Sequence, residues 1–376
     1  MPDTIDRTWL ARRALHHLEQ LVAIPSPSGD EAEISHHLAR VLAGLGLDVT
    51  LQPVGSRFNV VARTAATGAV TDILLTGHTD TVPVLEGWET DPFRPTIAGD
   101  RLYGLGAADQ KAGIAAQLAA LDGLYEAGLL HTRNLLVAFT PDEEALSDGM
   151  LAFLEDRPQA NLALLSEPHY SPVTIGWPGK ALVKVTVHGK AAHGGRPQHG
   201  VNAIEQAALF LAALAEAQVP EHPRLGRHPF VTLSIRGGYE RYSLTVPDRC
   251  ELTISKQLVP GESKDSVLEL VHRCARAMGA ARLEAELARP YYPPAEVDPG
   301  HPQLQRFAAL HRRVTGEDPA FGYGKGVNDG DYLVEAGITT VIFGPSGGNT
   351  HQPNEWVSLE QTAVCAEVYY RMCVEG

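Results

Sequence analysis

The first part of the chain alternates between helical and strand-like patterns of hydrophobic residues. Residues 7–22 place apolar side chains on one stripe of a helix, and a second helix begins near residue 30. The Ala- and Leu-rich stretch 108–126 predicts a third helix. Short apolar runs predict strands at 59–65, 72–75, 134–139 and 162–165. Apolar strands that alternate with helices are typical of a mostly parallel sheet with helices on both faces, so the pattern predicts an α/β domain.

The pattern changes after Trp177-Pro-Gly-Lys180. Residues 181–188 alternate apolar and polar side chains, as in a strand with one face in water. The order strand, helix, strand, strand, helix, strand then follows, which is the ferredoxin-like order of a small α+β layer. These elements are predicted at 181–188, 201–216, 230–236, 250–258, 264–278 and 281–288, and the chain returns through 302–315, 339–343 and 358–374. We therefore predict a discontinuous domain of residues 1–178 and 292–376, with residues 179–291 inserted into it.

The composition and net charge of the chain argue against two classes of binding partner. The 376 residues carry a net charge of −14, which opposes binding to a phosphate backbone and leaves no basic segment for a membrane surface. We therefore predict neither nucleic acid nor a membrane as a partner. The four cysteines have no CxxC spacing, and the N-terminal residues lack a basic region followed by an apolar run. A cytoplasmic location is the resulting prediction.

Side chains that bind metals follow several of the predicted strands. They are His78, Asp109, the pair Glu143 and Glu144, Glu167 and His351. Imidazole and carboxylate groups without a thiolate suit zinc, manganese or cobalt at a catalytic site. Open α/β sheets bind ligands at the carboxyl ends of their strands. Two histidines, two acids and one bridging acid form a complete set for two ions, which lie about 3.5–4 Å apart in hydrolases. The sequence therefore indicates a two-metal hydrolase.

Each of these residues also has a simpler interpretation. A single histidine at a strand end, such as His78, is usually a surface residue, and Asp80 either orients its imidazole or forms a turn. Asp109 precedes an Ala-rich helix, so it is either an N-cap or a carboxylate that bridges two cations. Glu143 and Glu144 follow a buried strand, where two acids would be costly without a cation. Because adjacent side chains point in different directions, one of them can bind a metal while the other faces a substrate.

The chain resembles the co-catalytic zinc aminoacylases and carboxypeptidases, the family of acetylornithine deacetylase, succinyl-diaminopimelate desuccinylase, aminoacylase and glutamate carboxypeptidase. The likeness runs from Leu21-Val-Ala-Ile-Pro-Ser-Pro-Ser-Gly29 to Asn354-Glu355, and its specific parts are Gly-His-Thr-Asp-Thr-Val-Pro (77–83) and Asp-Glu-Glu (142–144). The resemblance implies that Asp109 bridges two metals, with His78 and Glu167 completing one site and Glu144 and His351 the other. It also implies roles for Glu143 as general base, Asp80 as the orienter of His78, and His193 as a lid histidine that reaches the other subunit's active site.

The resemblance implies a function and an assembly as well. The larger domain would hold two divalent ions per subunit, zinc with cobalt or manganese as alternatives, and the inserted domain would act as lid and dimerisation domain of a homodimer. The reaction would be attack of a metal-bridged hydroxide on the amide bond of an N-acyl amino acid or related acylated amine. A dipeptide substrate would make the enzyme a dipeptidase or carboxypeptidase. A metal-binding relative without catalysis is a third alternative, against which the presence of Glu143, Asp80 and His193 argues.

The lid motif departs from the family pattern. The family usually has Asn three residues before the proline of its Asn-x-Val-Pro motif and Arg ten residues after it, and both commonly hold a substrate carboxylate. Leu244 and Gln257 occupy these positions. The loop 326–331, which includes Asn328, stands where relatives line the substrate cleft. We predict that the recognised end of the substrate is neutral, or that another cation binds it, for which the candidates are Arg241, Arg249, Lys256 and Lys325.

Overall fold

The computed structural model describes residues 5–64, 70–241, 243–279 and 281–375, which contain both helices and strands. The helices are α1 (Arg7–Val22), α2 (Ala32–Gly44), α3 (Ala112–Glu126), α4 (Asp148–Glu155), α5 (Ala203–Ala215), α6 (Lys264–Cys274), α7 (Pro302–Thr315), α8 (Gly330–Glu335) and α9 (Leu359–Val374). None of the described helices has the length and apolar character needed to cross a membrane.

The described strands outnumber the helices, and most of them are shorter. They are β1 (Asp48–Val54), β2 (Arg57–Arg63), β3 (Thr71–His78), β4 (Thr96–Ala98), β5 (Arg101–Tyr103), β6 (Leu135–Thr140), β7 (Ala160–Leu165), β8 (Val173–Trp177), β9 (Gly179–His188), β10 (Glu221–His222), β11 (Gly226–Arg227), β12 (Val231–Gly237), β13 (Arg249–Leu258), β14 (Arg282–Tyr292), β15 (Ala295–Glu296), β16 (Phe321–Tyr323), β17 (Thr340–Ile342), β18 (Gly347–Gly348) and β19 (Trp356–Ser358). The chain divides into two units. Unit 1 contains Met1–Ile175, Val297–Tyr323 and Asn328–Gly376, and unit 2 contains Gly176–Glu296 and Gly324–Val327.

A parallel set of strands forms the centre of unit 1. The strand order of its main sheet is β1-β2-β6-β3-β7-β17-β8. Strand β3 pairs in parallel with β6 and β7, and β17 pairs in parallel with β7, whereas β1, β2 and β8 pair antiparallel. The four parallel strands therefore end at one edge of the sheet.

Both faces of this sheet are buried. In β3, Ile73 and Leu75 join a core with helices α1, α2, α3, α7 and α9, while the equally buried Leu74 points to the opposite face. Helix α4 packs on β6, and α8 packs on β17. Because both faces are covered, the strands have nearly continuous apolar sequences. The predicted fold class, a mostly parallel α/β sheet with helices on both faces, is confirmed.

Unit 2 has the predicted ferredoxin-like order, with β9, α5, β12, β13, α6 and β14 along the chain. Its sheet order is β12-β13-β9-β14, so the first strand lies between the third and the fourth. The inward residues of β9 and β13 form a core with α5 and α6. Strand β14 continues to Tyr292, beyond the predicted end at residue 288. A register shift between Ala288 and Tyr292 lets the strand pass Pro290.

Replacing Gly113 by Ala should destabilise unit 1 although alanine favours helices. A Cβ atom on Gly113, near the start of α3, would lie 2.2 Å from the carbonyl oxygen of Ser166 and 2.6 Å from its Cβ. We expect a loss of about 1–3 kcal/mol in the free energy of unfolding, measured by urea titration with circular dichroism. The matched control is Gly44→Ala at the end of α2, where no described atom lies within 4 Å of the added Cβ. Equal stability of the two variants would show that α3 accepts the added methyl group without strain.

Candidate metal centre

The candidate residues follow the parallel strands at the shared edge of the sheet. Strand β3 ends at His78, β6 leads into Glu143 and Glu144, β7 is followed by Glu167, and β17 leads into the loop that carries His351. Neighbouring parallel strands carry their C-terminal residues to the same edge. His78, for example, is the partner of Thr140 at the end of β6. The topology therefore gathers residues that are far apart in sequence.

Asp109 lies between the two imidazoles. Its Oδ1 atom is 3.0 Å from Nε2 of His78, and its Oδ2 atom is 3.3 Å from Nε2 of His351. Asp109 has non-helical backbone angles (φ −116°, ψ 94°), and α3 begins only at Ala112. It is therefore not the N-cap of that helix. One carboxylate that faces two imidazoles through different oxygens has the arrangement a bridging ligand needs.

The described residues contain groups whose ligand atoms converge within 4.8 Å of one another. One group is His78, Asp109 and Glu167, and another is Asp109, Glu144 and His351. In the second group, Nε2 of His351 lies 2.7 Å from Oε1 of Glu144. The structure thus brings the predicted ligands together in two groups that share Asp109. That they bind metal stays a prediction.

A third converging group contains Glu143. It consists of His78, Glu143 and Glu144, and the distance between Nε2 of His78 and Oε2 of Glu143 is 4.0 Å. Geometry alone therefore allows Glu143 to be either a ligand or a free carboxylate beside the ligands. The two groups that share Asp109 each contain three possible ligands without Glu143.

The imidazoles stand in strongly acidic surroundings. Burial lowers the pKa of His78, but its hydrogen bonds with Asp109 and Asp80 outweigh this and raise that pKa well above its ordinary value. Hydrogen bonds with Asp109 and Glu144 raise the pKa of His351 to about 10. Because metals bind neutral imidazole, a cation at this site displaces these protons.

The glutamates are held in conditions that favour a compensating cation. Burial is the main cause that raises the pKa of Glu143 and of Glu167 well above the ordinary value, and neighbouring carboxylates contribute. Acids gathered in a buried place repel each other unless positive charge is added. Nitrogen and oxygen donors without sulfur suit zinc, cobalt or manganese. The residues present therefore fit a pair of divalent ions.

Asp80 supports several of these residues at once, and it is fully buried. Nδ1 of His78 lies 3.0 Å from the carbonyl oxygen of Asp80 and 3.4 Å from its Oδ1 atom. The carboxylate accepts the backbone N–H groups of Glu143 (3.0 Å) and Glu144 (3.1 Å) and the hydroxyl of Ser28 (2.7 Å). Asp80 therefore fixes the backbone of the glutamate pair, a contact that the sequence did not predict.

Sequence reasoning missed Gln110. Its side-chain amide donates a hydrogen bond of 2.6 Å to Oε1 of Glu167, and its carbonyl oxygen accepts one of 2.8 Å from Ser166. A Cβ atom at Gly77 would lie 2.5 Å from that carbonyl oxygen, so the glycine before His78 leaves the space that Gln110 occupies. An amide after an aspartate at a helix start carries no signal of this role.

Arg57 was also missed, and it neutralises the acid before the glutamate pair. Asp142 has a φ of 76°, and its carboxylate accepts hydrogen bonds from the guanidinium of Arg57 and from the backbone of Asp148 (3.2 Å). The guanidinium also lies 3.6 Å from the buried carboxylate of Glu31. The turn that presents Glu143 is thereby held from its other side. Arg57 precedes Asp142 by 85 residues, so no local pattern connects the two.

His193 and Leu244 lie on neighbouring segments of unit 2. His193 forms an isolated antiparallel bridge with Thr245, and the backbone N–H of Gly194 donates to the carbonyl oxygen of Leu244 (2.7 Å). The N–H of Gly195 donates to Nδ1 of His193 (3.0 Å), so the neutral imidazole keeps its proton on Nε2. His193 is exposed, and this proton is available to a partner.

The other candidate substrate residues have partners inside their own units. In unit 2, the amide of Gln257 donates to the carbonyl oxygen of Lys325 (3.1 Å), and the buried ammonium of Lys256 binds Glu262 (2.6 Å). In unit 1, Asn328 accepts the backbone N–H of Gly330 (2.8 Å) and so shapes its own loop. A substrate role for Gln257, Leu244 and Asn328 stays a prediction, and Lys256 is occupied by its ion pair.

Comparison with known proteins identifies the family. Residues 74–375 match the model of peptidase family M20/M25/M40. The chain belongs to this family. It is 30% identical to acetylornithine deacetylase from Pectobacterium carotovorum subsp. carotovorum (strain PC1), over 90% of this chain and 91% of that protein. It is 28% identical to N-formyl-4-amino-5-aminomethyl-2-methylpyrimidine deformylase from Bacillus subtilis (strain 168), over 94% of this chain and 93% of that protein. The resemblance found in the motifs is confirmed.

Two solved structures share the fold of this M20/M25/M40 family member. Aminopeptidase PepT from Bacillus cereus ATCC 10987 has a TM-score of 0.78 at 23% identity and covers 97% of this chain and 98% of its own. The Bacillus subtilis YXEP protein, a dinuclear metal binding peptidase from the M20 family, has a TM-score of 0.73 at 18% identity, with coverage of 98% and 99%. At these identities the likeness concerns the fold.

Replacing Glu143 by Ala tests whether this family member uses it as a base or as a ligand. We expect the variant to keep about two divalent ions per chain, because both groups around Asp109 are complete, while turnover falls by at least ~10²-fold. Metal content is measured by mass spectrometry of the dialysed protein. Loss of an ion with Glu143 would place it in the ligand set.

The matched variant is Asp109→Ala. Because Asp109 faces both imidazoles, its loss should lower the occupancy of both metal positions. Full metal content in this variant would contradict a bridging role.

Proposed function

We propose that the chain is a metal-dependent amidohydrolase that cleaves the amide bond of an N-acyl amino acid or a related acylated amine. The observation that carries the proposal is the carboxylate of Asp109 between two imidazoles, with Glu143 beside both groups and needed by neither. The names of two relatives, a deacetylase and a deformylase, describe removal of an acyl group from an amine and support it. Attack on a peptide, as in a dipeptidase or carboxypeptidase, is the alternative.

The site would hold two divalent ions per chain, zinc with cobalt or manganese as alternatives. When bound, such ions polarise an amide carbonyl and make water more acidic. Glu143 accepts the proton of the attacking water and returns it to the leaving amine. Its side chain is 11% exposed and lies against His78, while the bonds from its backbone and that of Glu144 to Asp80 fix its position. A chain that only bound metal would have no use for this carboxylate.

His193 would stabilise the oxyanion in the active site of a partner subunit through its Nε2–H group. The tautomer set by Gly195 and the exposure of the ring support this role. The proposed homodimer forms through unit 2. Strand β12 is an edge strand, and its side chains Val231, Leu233 and Ile235 are 55%, 57% and 49% exposed. An apolar edge of this kind requires cover, which a second copy of the chain would supply.

A cytoplasmic location is part of the proposal. The four cysteines are free and buried. Burial raises the pKa of Cys373 to about 12 and also raises the pKa of Cys365, so these thiols are poor nucleophiles. Free, unreactive thiols without disulfides suit a reducing compartment.

We propose further that the recognised end of the substrate has no free carboxylate. A carboxylate in a closed cleft needs a charge-assisted donor. Leu244 donates nothing, the amide of Gln257 is used by Lys325, and Lys256 and Arg249 pair with Glu262 and Glu251. The side chains of Arg241 and Lys325, which have no hydrogen-bonding partner among the described residues, are the alternatives.

A substrate panel tests both proposals. The metal-loaded protein is assayed with N-acetyl amino acids, their carboxamides, and dipeptides. We expect hydrolysis of the acyl substrates, with a kcat/KM for the carboxamide at least equal to that of the free acid. In Gln257→Arg the preference should move toward the acid, because a guanidinium pairs with a carboxylate. If the wild-type protein prefers the acid by about a hundredfold, roughly 2.7 kcal/mol, the neutral-end proposal is wrong. Hydrolysis of dipeptides alone would favour the peptidase.

Mixing two inactive variants tests the role of His193. A Glu143→Ala chain is combined with a His193→Ala chain under conditions in which subunits exchange. Each mixed dimer would have one active site with both groups intact, so an equal mixture should recover about a quarter of wild-type activity. Each variant alone is the control. No recovery in confirmed mixed dimers would show that His193 does not act across the interface, and a monomeric protein would overturn the homodimer.

A further inference from the structure

The carboxylate of Glu355 is bound to the loop that presents Asp109. Glu355 is 1% exposed. Its Oε1 atom accepts the backbone N–H groups of Ala108 (2.8 Å) and Asp109 (3.0 Å), and its Oε2 atom accepts that of Gly106 (2.9 Å). Its carbonyl oxygen accepts the N–H of Gly104 (3.0 Å). One residue therefore fixes the backbone of the loop from Gly104 to Asp109.

The same residue is connected to His351. Glu355 follows His351 by four residues and directly precedes β19. Strand β19 pairs with β5, in which Trp356 is the partner of Tyr103, and β5 leads into the Asp109 loop. The Asp109 loop follows the end of β5, and the His351 loop precedes the start of β19. These two strand ends are neighbours. Glu355 stands at this junction and binds one loop to the other.

The contacts require a carboxylate at this position. A buried carboxylate is stabilised when it accepts several backbone N–H groups, because charge-assisted hydrogen bonds are strong. A glutamine at position 355 would place its side-chain NH₂ group against backbone N–H donors, either that of Gly106 or those of Ala108 and Asp109. Among the described residues, Glu355 belongs to none of the converging ligand groups.

We propose that Glu355 is a positioning residue that sets Asp109 between the two imidazoles and keeps the His351 loop in register with it. This inference rests on the proposed two-metal function. The two ligand groups depend on Glu355 to different degrees. His78 is also held by Asp80, and Glu167 by Gln110. His351 is 49% exposed, so its group depends more on the junction at Glu355.

The test is metal binding by Glu355→Gln. Metal-free protein is titrated with cobalt(II), whose visible spectrum reports the coordination of each ion. We expect the wild-type protein to bind two ions, and the variant to bind the first normally and the second at least tenfold more weakly. The spectrum of the second ion should change. The control is Asp100→Asn. The carboxylate of Asp100, which lies between β4 and β5, accepts hydrogen bonds from the hydroxyl of Ser358 (2.6 Å) and the backbone N–H of Glu360 (2.7 Å) at the start of α9. This control should bind both ions as the wild-type protein does.

A second measurement separates positioning from a general effect on stability. The rise in melting temperature on adding cobalt should be smaller in Glu355→Gln than in the Asp100→Asn control, whatever the stability of the metal-free proteins. Should the glutamine variant fail to fold, Glu355→Asp decides, because it keeps the charge on a shorter side chain. Its second ion should bind several-fold more weakly.

The outcomes distinguish the inference from the function on which it rests. Binding of both ions by the folded Glu355 variant as tightly as by wild type would overturn the positioning role and leave the two-metal function intact. Binding of fewer than two ions by the wild-type protein would overturn the two-metal function, and the inference with it.

Discussion

Mutual repulsion among buried carboxylates is the constraint on which the candidate site depends. Asp109, Glu143, Glu144 and Glu167 meet at one edge of a sheet that is buried on both faces. The positive charge near these carboxylates comes from the imidazoles of His78 and His351, both of which have a raised pKa. Such surroundings disfavour the charged form of a carboxylate, and the pKa values of Glu143 and Glu167 are accordingly raised. The fold nevertheless holds the acids together by fixing their backbones, an arrangement that a pair of cations would stabilise.

The supporting contacts follow one pattern, in which a buried polar group binds the backbone or side chain of the residue that carries the chemistry. Asp80 accepts the N–H groups of Glu143 and Glu144, and Gln110 donates to Glu167. Each contact restricts the direction of a candidate ligand or base before any ion binds. Substitution of a residue that orients a metal ligand typically lowers metal affinity or activity by about 10- to 100-fold. The distribution of these supports explains why the two ligand groups need not respond equally to a single substitution.

The sequence predicted those parts of the site that follow long apolar strands. His78, the glutamate pair and Glu167 were found because β3, β6 and β7 have continuous hydrophobic sequences, and parallel neighbours end together. The sequence allows two interpretations of Asp109, as a helix N-cap or as a bridging carboxylate, because both place an acid directly before a helix. The strands β5 and β19 have three residues each, too few for any periodicity. The contact of Glu355 with Asp109, which spans 246 residues, was therefore outside what pattern reasoning could reach.

The candidate metal ligands and the candidate substrate residues Leu244 and Gln257 lie in different units of the chain. The candidate metal ligands and Glu143 belong to unit 1, whereas Leu244 and Gln257 belong to unit 2. Their contacts, such as the bond from Gln257 to the carbonyl oxygen of Lys325, lie within that unit. Substitutions without shared partners act almost independently. A change at Leu244 or Gln257 therefore leaves the contacts around Asp109 intact, so under the proposed function the recognised end of the substrate would be set separately from the bond that is cleaved.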